Sequence, residues 1–156
     1  MGRIQEHIGH TMSYHEPVLL QETMDGLNVS KGKRFIDATF GGGGHTKRML
    51  TLGAEVLAID TDPDAIKEAQ KIQHKGFRIH QGNFKDIDTI AHSEAFYPVD
   101  GVLFDLGVSS HQLDVESRGF RYTCADAPFD LRLNQKEGVP ARDIINHESE
   151  EHLKTI

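Results

Sequence analysis

Four consecutive glycines, Gly41 to Gly44, carry the clearest chemical signal in this sequence. A short apolar run before them predicts a buried strand over residues 35–40, and residues 46–52 predict a helix. A strand, a glycine loop and a helix in this order let the backbone approach a ligand closely, with helix N–H groups directed at it. The next predicted strand, residues 55–60, ends in Asp60, about 20 positions after the first glycine, where an acidic side chain binds ribose hydroxyls. The pattern predicts a cofactor of the adenosine type.

The glycine loop lacks the features that bind phosphate. The dinucleotide fingerprint G-x-G-x-x-G would need glycine in place of Thr46 or Lys47, and the P-loop pattern G-x-x-x-x-G-K-[ST] is absent. No lysine or arginine lies between Phe35 and Thr46 to neutralise a pyrophosphate. A ligand with a ribose, no phosphate and its own positive charge fits better, so the predicted cofactor is S-adenosyl-L-methionine. The alternative is a plain tight turn between a strand and a helix.

Two further predicted strands end in aromatic and polar residues. Residues 77–81 are followed by Phe84, and residues 99–106 carry Asp105 near their end. Because parallel sheets bind ligands at the carboxyl ends of their strands, we expect Phe84 to stack on the adenine or to form a wall of the adenine pocket. We expect Asp105 to accept a hydrogen bond from the ligand's ammonium group or to balance its sulfonium charge. The alternatives are a core aromatic at Phe84 and a helix cap or turn former at Asp105.

Strands and helices alternate along the chain with short connections. Apolar residues at helical spacing predict three further helices, over residues 16–27, 64–74 and 84–95. The second is capped by Asp62 or Thr61, and Pro63 suits its first turn. The third is predicted to turn four residues inward: Phe84, Ile87, Ile90 and Ala91. This alternation predicts a Rossmann-like α/β fold, in which a parallel sheet has helices on both faces.

Residues 107–136 show little regular periodicity, and within them residues 108–114 predict a polar loop rather than a crossover helix. Long irregular segments in compact domains are usually functional or disordered, and the aromatic residues here argue against disorder. Three arginines beside Phe120 and Tyr122 could contact an RNA backbone and a base: Arg118, Arg121 and Arg132. The alternative is intramolecular ion pairing with acidic residues of the same segment: Glu116, Asp126 and Asp130. Residues 141–146 and 148–156 predict the start of a helical segment.

Length and composition describe one domain-sized unit. The 156 residues are 37% hydrophobic and 26% charged, which suffices for one domain with a core. The formal net charge of −7 gives no overall basic surface, so any contact with RNA must be local. The single Cys124 excludes an internal disulfide and a multi-cysteine zinc site. The histidines near the N-terminus lack metal-ligand spacing, and no run of residues resembles a signal peptide or a membrane span, so we expect a cytoplasmic protein without a metal.

Five ordered blocks of the sequence resemble the RsmH (MraW) family, and together they cover nearly the whole chain from Tyr14 onward. They are YHEPVLL (14–20), DATFGGGGH (37–45), DLGVSSHQLD (105–114), RGF (118–120) and DAPFDLR (126–132). The resemblance implies a methyltransferase that uses S-adenosyl-L-methionine to methylate the exocyclic N4 amine of one cytidine in the decoding region of small-subunit ribosomal RNA. It implies cofactor-binding roles for Gly43, Gly44, His45, Asp60, Phe84, Asp105 and Gln112.

The same resemblance implies a domain organisation. Residues 1–13 would be an N-terminal tail, residues 14–115 a partial Rossmann-like cofactor-binding domain, and residues 116–156 the start of a helical substrate-recognition insertion. Family members are longer, and their sheet is completed after that insertion, so we expect an incomplete sheet in this chain. His111 departs from the family, which usually has proline at that position.

The expected reaction sets demands on the site. A cytosine exocyclic amine is a poor nucleophile because its lone pair is delocalised into the ring, so the site must hold it near the methyl group and accept a hydrogen bond from its N–H. By position the acceptors are Asp105, Ser109 and the carbonyls of residues 106–108, and we assign no catalytic residue. The target base must be unpaired or extruded. The alternatives are a methyltransferase with a protein or small-molecule acceptor, and a cofactor-binding unit that is inactive alone.

Overall fold

The structure, a computed structural model, describes residues 17–156. Its strands are β1 (Arg34–Asp37), β2 (Glu55–Asp60), β3 (Phe77–Gln81) and β4 (Gly101–Leu103). Its helices are α1 (Leu20–Gly26), α2 (Gly44–Thr51), α3 (Pro63–Ala69), α4 (Ile87–Ser93), α5 (Ser110–Asp114), α6 (Ala141–His147) and α7 (Glu150–Leu153). The predicted tail, residues 1–13, and the first residues of the YHEPVLL block lie outside the described residues.

The four strands form a parallel sheet in the order β3-β2-β1-β4. Phe35 of β1 lies at its centre, opposite Val56 of β2 on one side and Gly101 of β4 on the other. Because all the strands point in the same direction, their carboxyl ends meet at one edge of the sheet. The predicted parallel α/β sheet is confirmed, and the segments that follow all four strands come together at that edge.

Alternate residues of β2 pack against helices on opposite faces of the sheet. Leu57 and Ile59 pack on the α4 side, in a cluster with Ile36, Ile90, Ala91 and Phe96. Val56 and Ala58 point the other way, towards residues of α1, α2 and α3: Met24, Met49, Leu50, Ala65 and Ala69. This alternation is the period of two that a strand buried on both faces requires. Helices therefore cover both faces, as predicted.

Several element boundaries agree with the predictions and others differ. The predicted bounds of β2 and β3 are confirmed. Asp62 is confirmed as the cap of α3, since its Oδ1 accepts a hydrogen bond from the N–H of Asp64 at 3.0 Å. The predicted extension of α3 to residue 74 is wrong, because the N–H groups of Lys71 and Ile72 bond carbonyls three residues back and the helix ends in isolated turns.

Both strands β1 and β4 are shorter than predicted. β1 ends at Asp37, which lies opposite Leu103, and β4 ends at that same pair. Within the described chain β4 pairs only with β1, so its ladder stops where β1 stops, and the predicted extension to residue 106 is wrong. The first helix begins at Leu20 rather than at residue 16, because Leu19 has a left-handed φ of 53° that a helix cannot include.

The segment after β4, residues 107–136, contains α5 and a single 3-10 turn at Glu116–Arg118. The predicted loop over residues 108–114 is wrong there, because a capping box starts α5. The Ser109 hydroxyl accepts a hydrogen bond from the N–H of Gln112 at 3.2 Å, and Gln112 Oε1 accepts one from the N–H of Ser109 at 2.9 Å. Helices α6 and α7 lie within the predicted helical segment. The domain boundary between residues 115 and 116 stays a prediction.

None of the helices in residues 17–156 is long and apolar enough to cross a membrane.

Candidate cofactor-binding site

A crevice of about 230 Å³ opens at the carboxyl edge of the sheet. All four strand ends and the segment after β4 contribute its lining: Ala38, Thr39, Asp60, Thr61, Asn83, Phe84, Asp105, Gly107, Ser109, Gln112 and Leu133. Two hollows of about 300 Å³ and 240 Å³ share lining residues with it, one beside Asn83 and one beside Asp105. The three spaces follow one edge of the sheet, which is where α/β sheets bind their ligands.

Asp60 closes β2 and lines the crevice. Its Oδ2 accepts a hydrogen bond from the N–H of Gly41 at 2.8 Å, and its Oδ1 accepts one from the N–H of Asp62, also at 2.8 Å. Burial raises the pKa of Asp60, and the two N–H donors act in the opposite direction. Each oxygen keeps a second lone pair for a ligand, so the carboxylate can hold the glycine loop and still accept hydroxyl donors.

The glycine loop packs tightly against its own neighbours. Gly43 has a left-handed φ of 72°, and a Cβ there would lie 2.5 Å from the Phe40 ring. A Cβ on Gly44 would lie 2.7 Å from Cγ of Pro17. These contacts explain why glycine is needed at both positions. Neither Gly43 nor Gly44 is among the residues that line the crevice. Their predicted contact with the cofactor stays a prediction.

His45 is next to Asp105 but is not among the residues that line the crevice. The imidazole is buried, with Nε2 3.1 Å from the carbonyl of Val18 and Nδ1 3.7 Å from Oδ2 of Asp105. Asp105 itself lines the crevice with nearly half of its side chain exposed, and its N–H donates to the Thr39 hydroxyl at 2.7 Å. His45 therefore meets the site through Asp105, whereas Asp105 can contact a ligand directly.

Asp37 is a buried carboxyl group to which the sequence analysis gave no role. It is 1% exposed at the end of β1, and its Oδ2 accepts a hydrogen bond from the Thr46 hydroxyl at 2.6 Å. Burial raises the pKa of Asp37, against the lowering effect of its hydrogen bonds from Thr46 and Thr39. The bond ties the first turn of α2 to the end of β1 across the glycine loop. An isolated carboxyl inside an apolar strand was the signal that could have revealed it.

Phe84 was predicted to point inward from a helix, and this orientation is wrong. The chain makes a 3-10 turn at Phe84–Asp86, capped by Asn83, and α4 begins only at Ile87. The Phe84 side chain is consequently 39% exposed and lines the crevice. Its ring meets the Phe104 ring edge-on, with 5.6 Å between the ring centroids. The position suits a wall of a ligand site better than a core.

Gln112 lines the crevice, but its side-chain amide forms hydrogen bonds with other parts of the protein at both its nitrogen and its oxygen. Nε2 donates to Oδ2 of Asp62 at 2.8 Å, and Oε1 completes the capping box of α5. The side chain is buried at 6% exposure. Gln112 therefore joins the segment after β4 to the N-terminus of α3, and its predicted contact with the cofactor stays a prediction.

The three arginines of residues 107–136 form intramolecular ion pairs. Arg118 Nη2 lies 2.9 Å from Asp62 Oδ2, Arg121 Nη2 lies 2.9 Å from Asp114 Oδ1, and Arg132 Nη2 lies 2.7 Å from Asp130 Oδ2. The hydrogen bond from Arg132 holds the pKa of Asp130 below its usual value. Ion pairing, one of the two predicted alternatives, is what the structure shows, although only Asp130 among the predicted partners takes part in these three pairs.

The charges of the crevice are negative. Asp60 and Asp105 line it, and none of its lining residues is a lysine or an arginine. No group of three or more His, Cys, Asp or Glu side chains suited to hold a metal ion occurs within residues 17–156. The fold and the crevice define an α/β domain with a negatively charged crevice at the carboxyl ends of parallel strands.

Comparison with known proteins assigns the chain to a family. The model of the MraW methylase family matches residues 12–156. A protein of Thermomicrobium roseum named ribosomal RNA small subunit methyltransferase H is 46% identical over 148 residues, which are 91% of this chain and 45% of that protein. A protein of the same name from Fusobacterium nucleatum is 40% identical over 97% of this chain and 49% of its own length. The chain belongs to the MraW methylase family.

The similarity covers only part of the relatives, and the likeness to solved structures is low. The chain spans about half the length of the relatives it matches. Among solved structures, the C-terminal domain of precorrin-6Y C5,15-methyltransferase from Rhodobacter capsulatus is 20% identical over 62% of this chain and 52% of its own, with a TM-score of 0.44. The parallel strand order and the family match define the fold.

Proposed function

We propose that this chain binds S-adenosyl-L-methionine in the crevice and belongs to the machinery that methylates the exocyclic N4 amine of a cytidine in small-subunit ribosomal RNA. The observation that carries the proposal is the negatively charged crevice at the strand ends of a MraW-family chain. The cofactor supplies a methyl group on a sulfonium sulfur. The RNA substrate is supported by the names of the relatives, which are ribosomal RNA small subunit methyltransferases.

The charge and shape of the crevice fit this cofactor. A ligand that carries a sulfonium and an ammonium group gains from Asp60 and Asp105, whereas a pyrophosphate would meet two carboxylates and no cation in the lining. Asp60 would accept hydrogen bonds from the ribose hydroxyls through the lone pairs that Gly41 and Asp62 leave open. Phe84 would provide an aromatic surface for the adenine.

Residues after β4 would orient the acceptor amine. Asp105 lies at the join between the crevice and the hollow lined by residues 105–109, with 44% of its side chain exposed. Its carboxylate, or a carbonyl of residues 106–108, would accept a hydrogen bond from the amine N–H and so favour the rehybridised nitrogen. The proton can leave after methyl transfer, once the nitrogen is cationic, so no general base is required.

A second candidate function follows from the length of the chain. Because the chain spans about half of its relatives, it could bind S-adenosyl-L-methionine without transferring the methyl group alone. Binding and turnover therefore have to be measured separately.

The test is a methyl-transfer assay with radiolabelled S-adenosyl-L-methionine. The acceptors are small ribosomal subunits, free cytidine and an unrelated protein. Each is assayed with the wild-type chain and with Asp105→Asn. We expect label only in the ribosomal RNA, at the N4 position of a cytidine, and a lower rate with Asp105→Asn. Label in the protein or the free nucleoside would overturn the RNA assignment, and saturable binding without label would establish the second candidate.

A further inference from the structure

The segment after β4 is held to the sheet by polar groups rather than by an apolar core. The buried hydrophobic side chains of the described chain all belong to residues 24–96, whereas the buried side chains of residues 107–136 are Gln112, Arg118 and Asn134. Four crevice-lining residues nevertheless come from this segment: Gly107, Ser109, Gln112 and Leu133. Their positions must therefore depend on specific polar contacts.

Arg118 makes most of those contacts. Its guanidinium grips both oxygens of Asp62, with Nη2 2.9 Å from Oδ2 and Nη1 3.3 Å from Oδ1. Nη2 also donates to the carbonyl of Leu133 at 2.7 Å. The two side chains of the pair are only 6% and 3% exposed. One buried guanidinium thus joins the N-terminus of α3 to two points of the segment that are 15 residues apart.

Asp62 connects this pair to the ligand-binding edge of the sheet. Its N–H donates to Asp60 Oδ1 at 2.8 Å, and its Oδ2 accepts the Gln112 amide at 2.8 Å. The chain of direct bonds therefore runs from Asp60 through Asp62 to Arg118, with branches to Gln112 and Leu133. Every crevice-lining residue in it lies one or two hydrogen bonds from the guanidinium.

We propose that Arg118 is a positioning residue for the crevice: it sets the wall formed by Gln112 and Leu133 against Asp60 without lining the crevice itself. The inference rests on the proposed function, since it takes S-adenosyl-L-methionine as the ligand. Lysine cannot replace arginine here, because one ammonium group cannot bind both oxygens of Asp62 and the Leu133 carbonyl with the planar fork that a guanidinium offers.

The test compares two arginines of the same segment by calorimetric titration of the 156-residue chain with S-adenosyl-L-methionine. Arg118→Ala removes the buried pair, and Arg121→Ala removes the exposed pair with Asp114 as the matched control. We expect the dissociation constant to rise at least about tenfold for Arg118→Ala, since a broken buried pair leaves an unpaired carboxylate, and less than about twofold for Arg121→Ala. Arg118→Lys should resemble Arg118→Ala.

Chemical rescue separates positioning from a general structural role. Guanidinium added at millimolar concentration should restore part of the affinity of Arg118→Ala, whereas methylammonium at equal ionic strength should not. Wild-type affinity in Arg118→Ala, or a weakened affinity on which guanidinium has no effect, would overturn the proposal. Absence of binding by the folded wild-type chain would instead count against the proposed function.

If Arg118→Ala does not fold, amide hydrogen exchange of the wild-type chain tests the positioning role of Arg118. Bound S-adenosyl-L-methionine should slow amide exchange in the peptides that carry Gln112 and Leu133 as well as in those at the strand ends. Protection at the strand ends alone would show that the ligand does not depend on the wall that Arg118 holds, and it would overturn the proposal.

Discussion

The two walls of the crevice are built in different ways. The wall from the sheet rests on a packed apolar core, in which Val56, Leu57, Ala58 and Ile59 of β2 are all 0% exposed. The wall from the segment after β4 rests on the buried ion pair of Arg118 with Asp62 and on the Gln112 amide. Apolar packing is non-directional and spread over many contacts, whereas a buried polar cluster is directional and concentrated in a few. The comparison teaches that one crevice can combine a wall held by many apolar contacts with a second wall held by the side chain of Arg118.

The largest expected effect is on the sheet wall, from Leu57→Ala. The Leu57 side chain is fully buried on the face of the sheet that α4 covers. Its truncation should therefore lower the free energy of unfolding by about 3 kcal/mol. Urea unfolding followed by circular dichroism measures this change. The matched control is Leu153→Ala on α7, where the side chain is 38% exposed and the change should stay below about 1 kcal/mol. Equal losses in both variants would contradict the assignment of the core.

The second prediction concerns the wall after β4. A double-mutant cycle of Arg118→Ala and Asp62→Ala should give a coupling free energy of about 2 kcal/mol in urea unfolding, because the pair is buried and doubly hydrogen-bonded. The cycle also cancels the loss of the α3 cap that Asp62→Ala causes alone. The same cycle on Arg121 and Asp114, an exposed pair, should give about 0.5 kcal/mol or less. Coupling energies of equal size would remove the distinction between the two pairs.

The third prediction concerns ligand binding rather than folding. Phe84→Ala should weaken binding of S-adenosyl-L-methionine about tenfold, the loss expected when a base loses its aromatic stacking partner. Its effect on the free energy of unfolding should be smaller than that of Leu57→Ala, because the ring is 39% exposed. Tyr122→Ala, an aromatic truncation at 97% exposure and outside the crevice lining, should leave the dissociation constant unchanged. A similar loss in both variants would remove Phe84 from the site.

The smallest expected effect is a pH dependence from Asp37. Burial raises its pKa above the ordinary value of 3.8, so the folded state binds its proton more tightly than the unfolded state does. The stability that this proton contributes is complete below pH 3.8 and is lost as the pH rises through the raised pKa. Asp37→Asn should remove this part of the dependence while it keeps a partner for the Thr46 hydroxyl. Parallel pH profiles of stability in the wild-type chain and the variant would show that the pKa of Asp37 is not raised by folding, and would contradict this prediction.

Sequence patterns located the parts of this fold that local chemistry determines. Apolar runs predicted the bounds of β2 and β3, and the Asp62-Pro63 pair predicted the start of α3. The end of β4 was missed because it depends on where β1 ends, and the outward turn of Phe84 depends on a 3-10 turn that periodicity does not reveal. The capping box of α5 was present in the sequence and was overlooked.

The candidate site divides in the same way. Asp60, Phe84 and Asp105 were named from the ends of predicted strands and Gln112 from the family resemblance, and all four line the crevice. The partner of Arg118 could not be found from the sequence, because Asp62 lies 56 positions away and only the folded chain brings them together. Acidic residues near Arg118 in the chain were the natural candidates, and proximity in sequence says little about a pair that joins two elements.

The most direct test of the account is calorimetric titration of the chain with S-adenosyl-L-methionine, beside Asp60→Ala and the control Asp88→Ala. Asp88 is an exposed carboxylate on α4, outside the crevice lining, so its removal changes the net charge equally. We predict saturable binding by the wild-type chain and by Asp88→Ala, and a dissociation constant at least about 30-fold higher for Asp60→Ala, since hydrogen bonds to a charged acceptor are lost. No saturable heat from the folded wild-type chain, or equal affinities for all three proteins, would contradict the assignment of the crevice to this cofactor.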